Sequence, residues 1–239
     1  MNFRTHKIGY QRNHSIISSY PINYYKYPLA KNSKLIEMEL NENEYIFIPS
    51  NWLHWVFTEP YNLSMNYFIN KIKSYDKNLF LEEIKKNQPF KNKIKNEINF
   101  SFRNFIKENL EKKFSITMST HSHTVPVIKP GFNSSDFRIN LTIKESLNPD
   151  YNNYYKYIAQ YPINESYLNN LNNFIDVADN LDYDANTWIN FDKPINSGLH
   201  FDENDNILIN FIGKKKVILG HPENLKYLYF QELPQIDSK

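Results

Sequence analysis

The stretch Ser197-Gly-Leu-His-Phe-Asp-Glu-Asn-Asp-Asn206 decides how this chain is read. Within it His200 and Asp202 stand two residues apart, and side chains at i and i+2 of a strand point to the same face, so an imidazole and a carboxylate converge. Such a pair can begin a metal site, although a His-x-Asp tripeptide is common by chance and needs support from its surroundings. Cysteine is absent, which excludes disulfides, thiolate metal sites, iron–sulfur clusters and cysteine nucleophiles. Any metal must be held by histidine and carboxylate, and the histidines are His6, His14, His54, His121, His123, His200 and His221.

Around that stretch the text is β-rich. Thr187-Trp-Ile-Asn-Phe191, Leu199-His-Phe-Asp202, Ile207-Leu-Ile-Asn-Phe-Ile212 and Lys216-Val-Ile-Leu219 are short strand-like runs, with Gly213 at the last turn. A second β block precedes it: Leu35 to Leu40, Tyr45 to Pro49 and Leu63 to Ile69, with Asn41 to Glu44 as a polar turn. Between the blocks the period changes. Leu79, Phe80 and Ile84 suit one helix, and Phe102, Phe105, Ile106 and Leu110 a second with Ser101 as N-cap. A strand around Ser115 to Thr120, a loop from Pro126 to Ser135, a capping box at Thr142-Ile-Lys-Glu145 and a last helix through Tyr167, Leu168, Leu171 and Phe174 complete the reading. The order β, α, β without strict alternation argues against a doubly wound parallel sheet, and for an antiparallel sandwich or barrel with helical decoration.

Composition narrows the partners. A chain of 239 residues with 41% hydrophobic residues can bury a sizeable core, so it is not a disordered tail. A formal net charge of +2 is far from the strongly basic balance of a dedicated nucleic-acid binder. No apolar run reaches the roughly 18 residues that span a bilayer, and Met1 to Ser19 has no apolar signal core, so the expected setting is intracellular, cytoplasmic or nuclear, with no membrane partner.

Trp188-Ile-Asn, the stretch Ser197 to Asn206 and Asn210-Phe-Ile-Gly-Lys-Lys-Lys-Val-Ile-Leu219 together resemble the first half of the metal-binding core of Jumonji C (JmjC) oxygenases. The likeness is closest to the small hydroxylases similar to factor inhibiting HIF. The second half, expected downstream, stands upstream. Tyr45-Ile-Phe-Ile-Pro-Ser-Asn-Trp-Leu-His-Trp-Val56 and Asn62-Leu-Ser-Met-Asn-Tyr-Phe68 resemble its strand, Pro-containing turn, Trp-x-His and returning strand. Asn78 to Phe174 matches the family's N-terminal portion more loosely.

The resemblance implies a mainly β fold with α decoration, a cupin-like double-stranded β-helix (jelly roll) in circularly permuted order. Residues 1–239 then form one JmjC-like domain: 1–75 the second half of the core, 76–180 a helical and connecting region, and 181–239 the first half. By resemblance, His54, His200 and Asp202 hold Fe(II), the facial 2-His-1-carboxylate set that leaves positions open for a co-substrate and O2. Lys215 meets the distal carboxylate of 2-oxoglutarate, Tyr157 and Ser197 help hold it, and Asn206 and Asn66 stand near the metal end. Trp188 and Trp52 read as packing residues. The implied activity is a 2-oxoglutarate-dependent dioxygenase that hydroxylates a protein side chain. The rivals are a noncatalytic JmjC-like or cupin binding protein, a hydroxylase of a modified tRNA base, and a cupin with another divalent metal. His121 and His123 form a competing pair without an evident carboxylate, and a homodimer that swaps halves is the alternative to a site built by one chain.

Overall fold

The computed structural model describes residues 13–73, 79–96, 102–120, 122, 137–161, 170–176 and 181–230. The first β block supplies β1 (Leu35–Leu40), β2 (Glu44–Ile48), β3 (Leu53–Thr58) and β4 (Asn62–Ile72). The middle supplies α1 (Leu79–Lys85), β5 (Phe90–Lys93), α2 (Phe102–Asn109), β6 (Lys113–Ser119), β7 (Phe137–Thr142), α3 (Ile143–Ser146) and β8 (Tyr155–Tyr161). The last third supplies β9 (Leu181–Asn190), β10 (Ile195–Asn196), β11 (Asp205–Ile212) and β12 (Lys215–Gly220).

These strands interleave rather than segregate. One sheet runs β5-β2-β11-β4-β9-β8-β6-β7 and the other β1-β12-β3-β10, every pairing antiparallel. The late strand β11 lies between the early strands β2 and β4, and the late β12 between the early β1 and β3. Strands from both ends of the chain thus close two layers into a jelly roll. Its described ends also meet, since Ser15 bridges Phe230 and the Ser15 hydroxyl donates to the Leu228 carbonyl at 2.5 Å.

The centre of the larger sheet is covered on both faces, so apolar residues occur on both, as Ile207 and Leu208 of β11 show. One face packs Leu63, Met65, Tyr67, Ile207, Ile209 and Phe211 against Phe80, Leu81 and Ile84 of α1 and Phe105 of α2. The space between the sheets holds Leu40, Ile46, Ile48, Trp52, Leu208, Val217 and Leu219. Outside the smaller sheet, Leu53, Trp55 and Ile218 are sealed by Ile17, Ile22, Tyr27, Ala30 and Leu228.

The two helices of the middle region form where their apolar spacing places them, and the Thr142 capping box is present, with Glu145 N–H on the Thr142 hydroxyl and the Glu145 carboxylate on Thr142 N–H. Two expectations are corrected. Of the last expected helix, the described residues 170–176 form a single 3-10 turn, Leu171–Asn173, which the Asn170 side chain caps by accepting from Asn172 N–H. Leu199 to Asp202 is not a strand: Gly198, at φ +73°, turns the chain, and His200 touches its neighbours through isolated bridges to His54 and His14. Ser101, the loop Pro126 to Ser135, His6, His121, His123, Tyr167 and Leu168 lie outside the described residues. Among the described residues no helix is long and apolar enough to cross a membrane.

Candidate metal centre

His54 sits on β3 with its ring buried between the sheets, 3% exposed. The backbone clamps it to His200: His54 N–H donates to the His200 carbonyl at 2.7 Å and His200 N–H to the His54 carbonyl at 3.0 Å. Asp202 is held from the other side, its carbonyl accepting from Asn51 N–H at 2.8 Å, while Asp205 accepts from Ser50 N–H at 2.7 Å. The turn after Pro49 thus pins the His200-to-Asp205 segment against the start of β3.

Ligand atoms of His54, His200 and Asp202 all lie within 4.8 Å of one another. The tautomers are set by the backbone. His54 Nδ1 donates to the Trp52 carbonyl at 3.0 Å and His200 Nδ1 to the Gly198 carbonyl at 3.0 Å, which leaves both Nε2 atoms to face Asp202. His54 Nε2 is 3.4 Å from Asp202 Oδ2. Burial opposes charge on this pair, yet their mutual hydrogen bond and attraction raise the His54 pKa above the usual histidine value and hold Asp202 well below the usual carboxylate range. His200 goes the other way, to about 3, pushed down by burial and by the neighbouring His54. The trio therefore holds a cationic proton against a carboxylate, with a neutral imidazole beside them. A divalent cation would replace that proton, so the donor set suits a metal such as Fe(II).

From this cluster polar side chains line a strip, the slot, between the inner faces of the two sheets. Leu219 is paired with His54 and Lys215 with Thr58, so Lys215 lies four residues along the same inner face, about 13 Å at strand spacing. Lys215 is 3% exposed, and its Nζ donates to Thr58 Oγ1 at 2.9 Å. No described carboxylate pairs with it, and burial lowers its pKa to about 7. Across the slot, cross-strand partners place Asn206 opposite Phe68, Asn66 opposite Leu208 and Asn186, and Ser64 opposite Asn210 and Trp188. Asn66 Oδ1, Asn206 Oδ1, Ser64 Oγ, Asn62 Oδ1, Asn190 Oδ1 and Trp188 Nε1 are all shut off from solvent and have no hydrogen-bond partner among the described residues. Buried polar atoms are costly unless they find partners, so this inner face suits water or a polar guest.

The residues singled out from the sequence are distributed as follows. His54, His200 and Asp202 come together. Lys215 closes the far end of the slot. Asn206 lies beside Asp202, its Nδ2 3.5 Å from Asp202 Oδ2, and Asn66 lies on the same face of the sheet. Tyr157 is buried on β8, paired in register with Asn190 and packed on Trp188 at 5.6 Å. Ser197 is engaged with the backbone, its hydroxyl donating to the Gly198 carbonyl and accepting from Val56 N–H. The sequence did not single out Thr58, Ser64, Asn62 and Asn190 for this face, and Trp188, read as a packing residue, packs on Tyr157. The signal was present: on β4, Asn62, Ser64 and Asn66 alternate with Leu63, Met65 and Tyr67, the pattern of a strand whose inner face is polar although both faces are buried.

Comparison with family models matches residues 4–75 to the Cupin-like domain. The fold is a cupin-like jelly roll. Among curated proteins, the chain is 25% identical over 228 residues to a putative JmjC domain-containing protein of Acanthamoeba polyphaga mimivirus, covering 85% of this chain and 36% of that protein. It is 45% identical over 49 residues to JmjC domain-containing protein C of Dictyostelium discoideum, covering 20% of this chain and 12% of that protein. The chain thus spans little more than a third of the longer match and about an eighth of the other. No solved structure gives a significant match.

Proposed function

We propose that this chain is an Fe(II)- and 2-oxoglutarate-dependent oxygenase that hydroxylates a protein side chain and releases succinate and CO2. In this reading the core is JmjC-like, of the small-hydroxylase type, with its two halves in circularly permuted order. The observation that carries it is the pairing of two features in one cavity. Two backbone-locked imidazoles and a carboxylate converge at one end, and a buried lysine without an anionic partner closes the other.

Charge supports this assignment. The two positive charges of Fe(II) and the one of Lys215 balance Asp202 and a dicarboxylate, so the filled slot is neutral while the empty one buries an uncompensated cation. His54 and His200 would hold the metal through Nε2, and Asp202 through its carboxylate. Lys215 and Thr58 would receive the distal carboxylate, and Asn206 and Asn66 would flank the metal end. When bound, the metal activates O2 at the expense of the 2-oxo acid, and the apolar floor of Val217, Leu208 and Ile46 keeps bulk water from competing.

Anaerobic titration with Fe(II) and then 2-oxoglutarate tests this directly. The expected result is a weak visible charge-transfer band that His200→Ala abolishes. Folded protein that binds no Fe(II), or that binds it and gives no band with 2-oxoglutarate, overturns the proposal.

A further inference from the structure

A third imidazole, that of His14, stands beside the candidate metal centre. The segment Asn13 to Ile17 is laced to the His200 loop: Phe201 N–H donates to the Asn13 carbonyl at 3.1 Å, Ser15 N–H to the Leu199 carbonyl at 2.9 Å, and His14 bridges His200. The His14 ring lies flat on the His200 ring, with centroids 5.0 Å apart and planes within 8°. His200 is thus sandwiched, with the tilted His54 ring 4.1 Å away on another side.

The protonation of His14 follows from its neighbours. Asn13 Nδ2 donates to the Phe201 carbonyl at 2.9 Å, which fixes the amide so that Asn13 Oδ1 faces His14 Nδ1 at 2.9 Å. An oxygen there can only accept, so Nδ1 carries the hydrogen and Nε2 is a bare acceptor. That Nε2 is shut off from solvent and has no partner among the described residues. Stacking alone does not require the nitrogen, since phenylalanine would cover His200 without burying an unpaired acceptor. His14 also stands outside the group of ligand atoms that lie within 4.8 Å of one another, so as placed it is a neighbour of the ligand set and not a member.

We propose that His14 Nε2 accepts a hydrogen bond from a water held on the open face of the metal, making His14 a further binding residue of the centre. The proposal rests on the metal-site reading given above. It extends the site to the segment Asn13 to Ile17, which covers the His200 loop, and means that the open face is built to receive an O–H or N–H donor.

The test pairs two variants with one measurement on the unaltered protein. His14→Phe keeps the flat stack and removes the nitrogen; His14→Ala removes both. Titration with Co(II) should show His14→Phe weakened about tenfold, the loss typical of a group behind a metal ligand, with altered visible d–d bands and a preserved melting temperature. His14→Ala should bind Co(II) no more tightly than His14→Phe. In the unaltered protein, long-range proton–nitrogen spectra should show His14 protonated on Nδ1, with the bare Nε2 resonance shifting when Zn(II) is added. Wild-type affinity and bands in His14→Phe overturn the proposal. So does a His14 Nε2 that is protonated or unmoved by Zn(II), which decides the matter even where a variant does not fold. Failure of the unaltered protein to bind Co(II) or Zn(II) is a separate outcome that removes the metal-site reading and this proposal with it.

Discussion

Lys215 is the residue on which charge and stability meet. Its folded pKa of about 7 lies below the ordinary 10.5, so between those values the unfolded chain holds a proton that the folded chain does not. Folding stability of the metal-free protein should therefore rise with pH from about 7 toward 10.5, and the penalty for burying the cation should be complete below pH 7. Denaturant unfolding at pH 6 and pH 9 measures this. Lys215→Met removes the penalty and should stabilise the empty protein at pH 6 by about 1–3 kcal/mol, while eliminating 2-oxoglutarate binding. At the other end of the slot, the raised pKa of His54 depends on Asp202. Asp202→Asn should lower it, as followed by histidine proton resonances across a pH titration, and should abolish metal binding.

At the scale of elements, the β11–β12 hairpin sets the slot. Gly213, at φ +74°, makes the turn that returns the chain from Asn210 to Lys215, and a Cβ there would lie 3.2 Å from both Asn62 Nδ2 and the Tyr61 carbonyl. Asn62 Nδ2 already donates to Asn210 Oδ1 at 2.8 Å and the Ile212 carbonyl at 2.6 Å, so it has little room to move. Gly213→Ala should cost about 1–2 kcal/mol through the left-handed backbone alone, and should weaken 2-oxoglutarate more than Co(II), since it displaces the lysine end of the slot. Thermal melts and paired titrations separate the two effects. The Thr142 capping box serves as the contrast. Thr142→Ala should lose about 1 kcal/mol of stability in the same melts with Co(II) affinity unchanged, because α3 follows β7, the edge strand of the larger sheet.

For the whole molecule, the candidate ligands come from segments far apart in sequence, His54 from the first β block and His200 and Asp202 from the last. Metal binding should therefore stabilise the entire jelly roll and not one hairpin. Free Co(II) at a hundred times its dissociation constant should add about 2.7 kcal/mol to global unfolding, seen as one cooperative transition that moves to higher temperature. Pairings such as β2 with β11 and β1 with β12 are also strongly non-local, which sets an expectation of slow refolding.

The chain's own text carried the two β blocks, the apolar stripes of α1 and α2 and the capping box of α3, because strand alternation, helix period and capping are local rules that a few neighbouring residues obey or break; it also singled out His54, His200 and Asp202, which the fold brings together. It did not carry the 3-10 turn at Leu171–Asn173, which the Asn170 side chain caps, nor the irregular path of His200 to Asp202, which depends on what lies on either side. Only the tertiary structure decided that β11 and β12 insert between early strands, that backbone carbonyls fix both ligand tautomers, that Lys215 is buried without a carboxylate, and that His14 stacks on His200. These are contacts between residues remote in sequence, and their free energy depends on distance, burial and the absence of water, none of which the order of residues contains by itself.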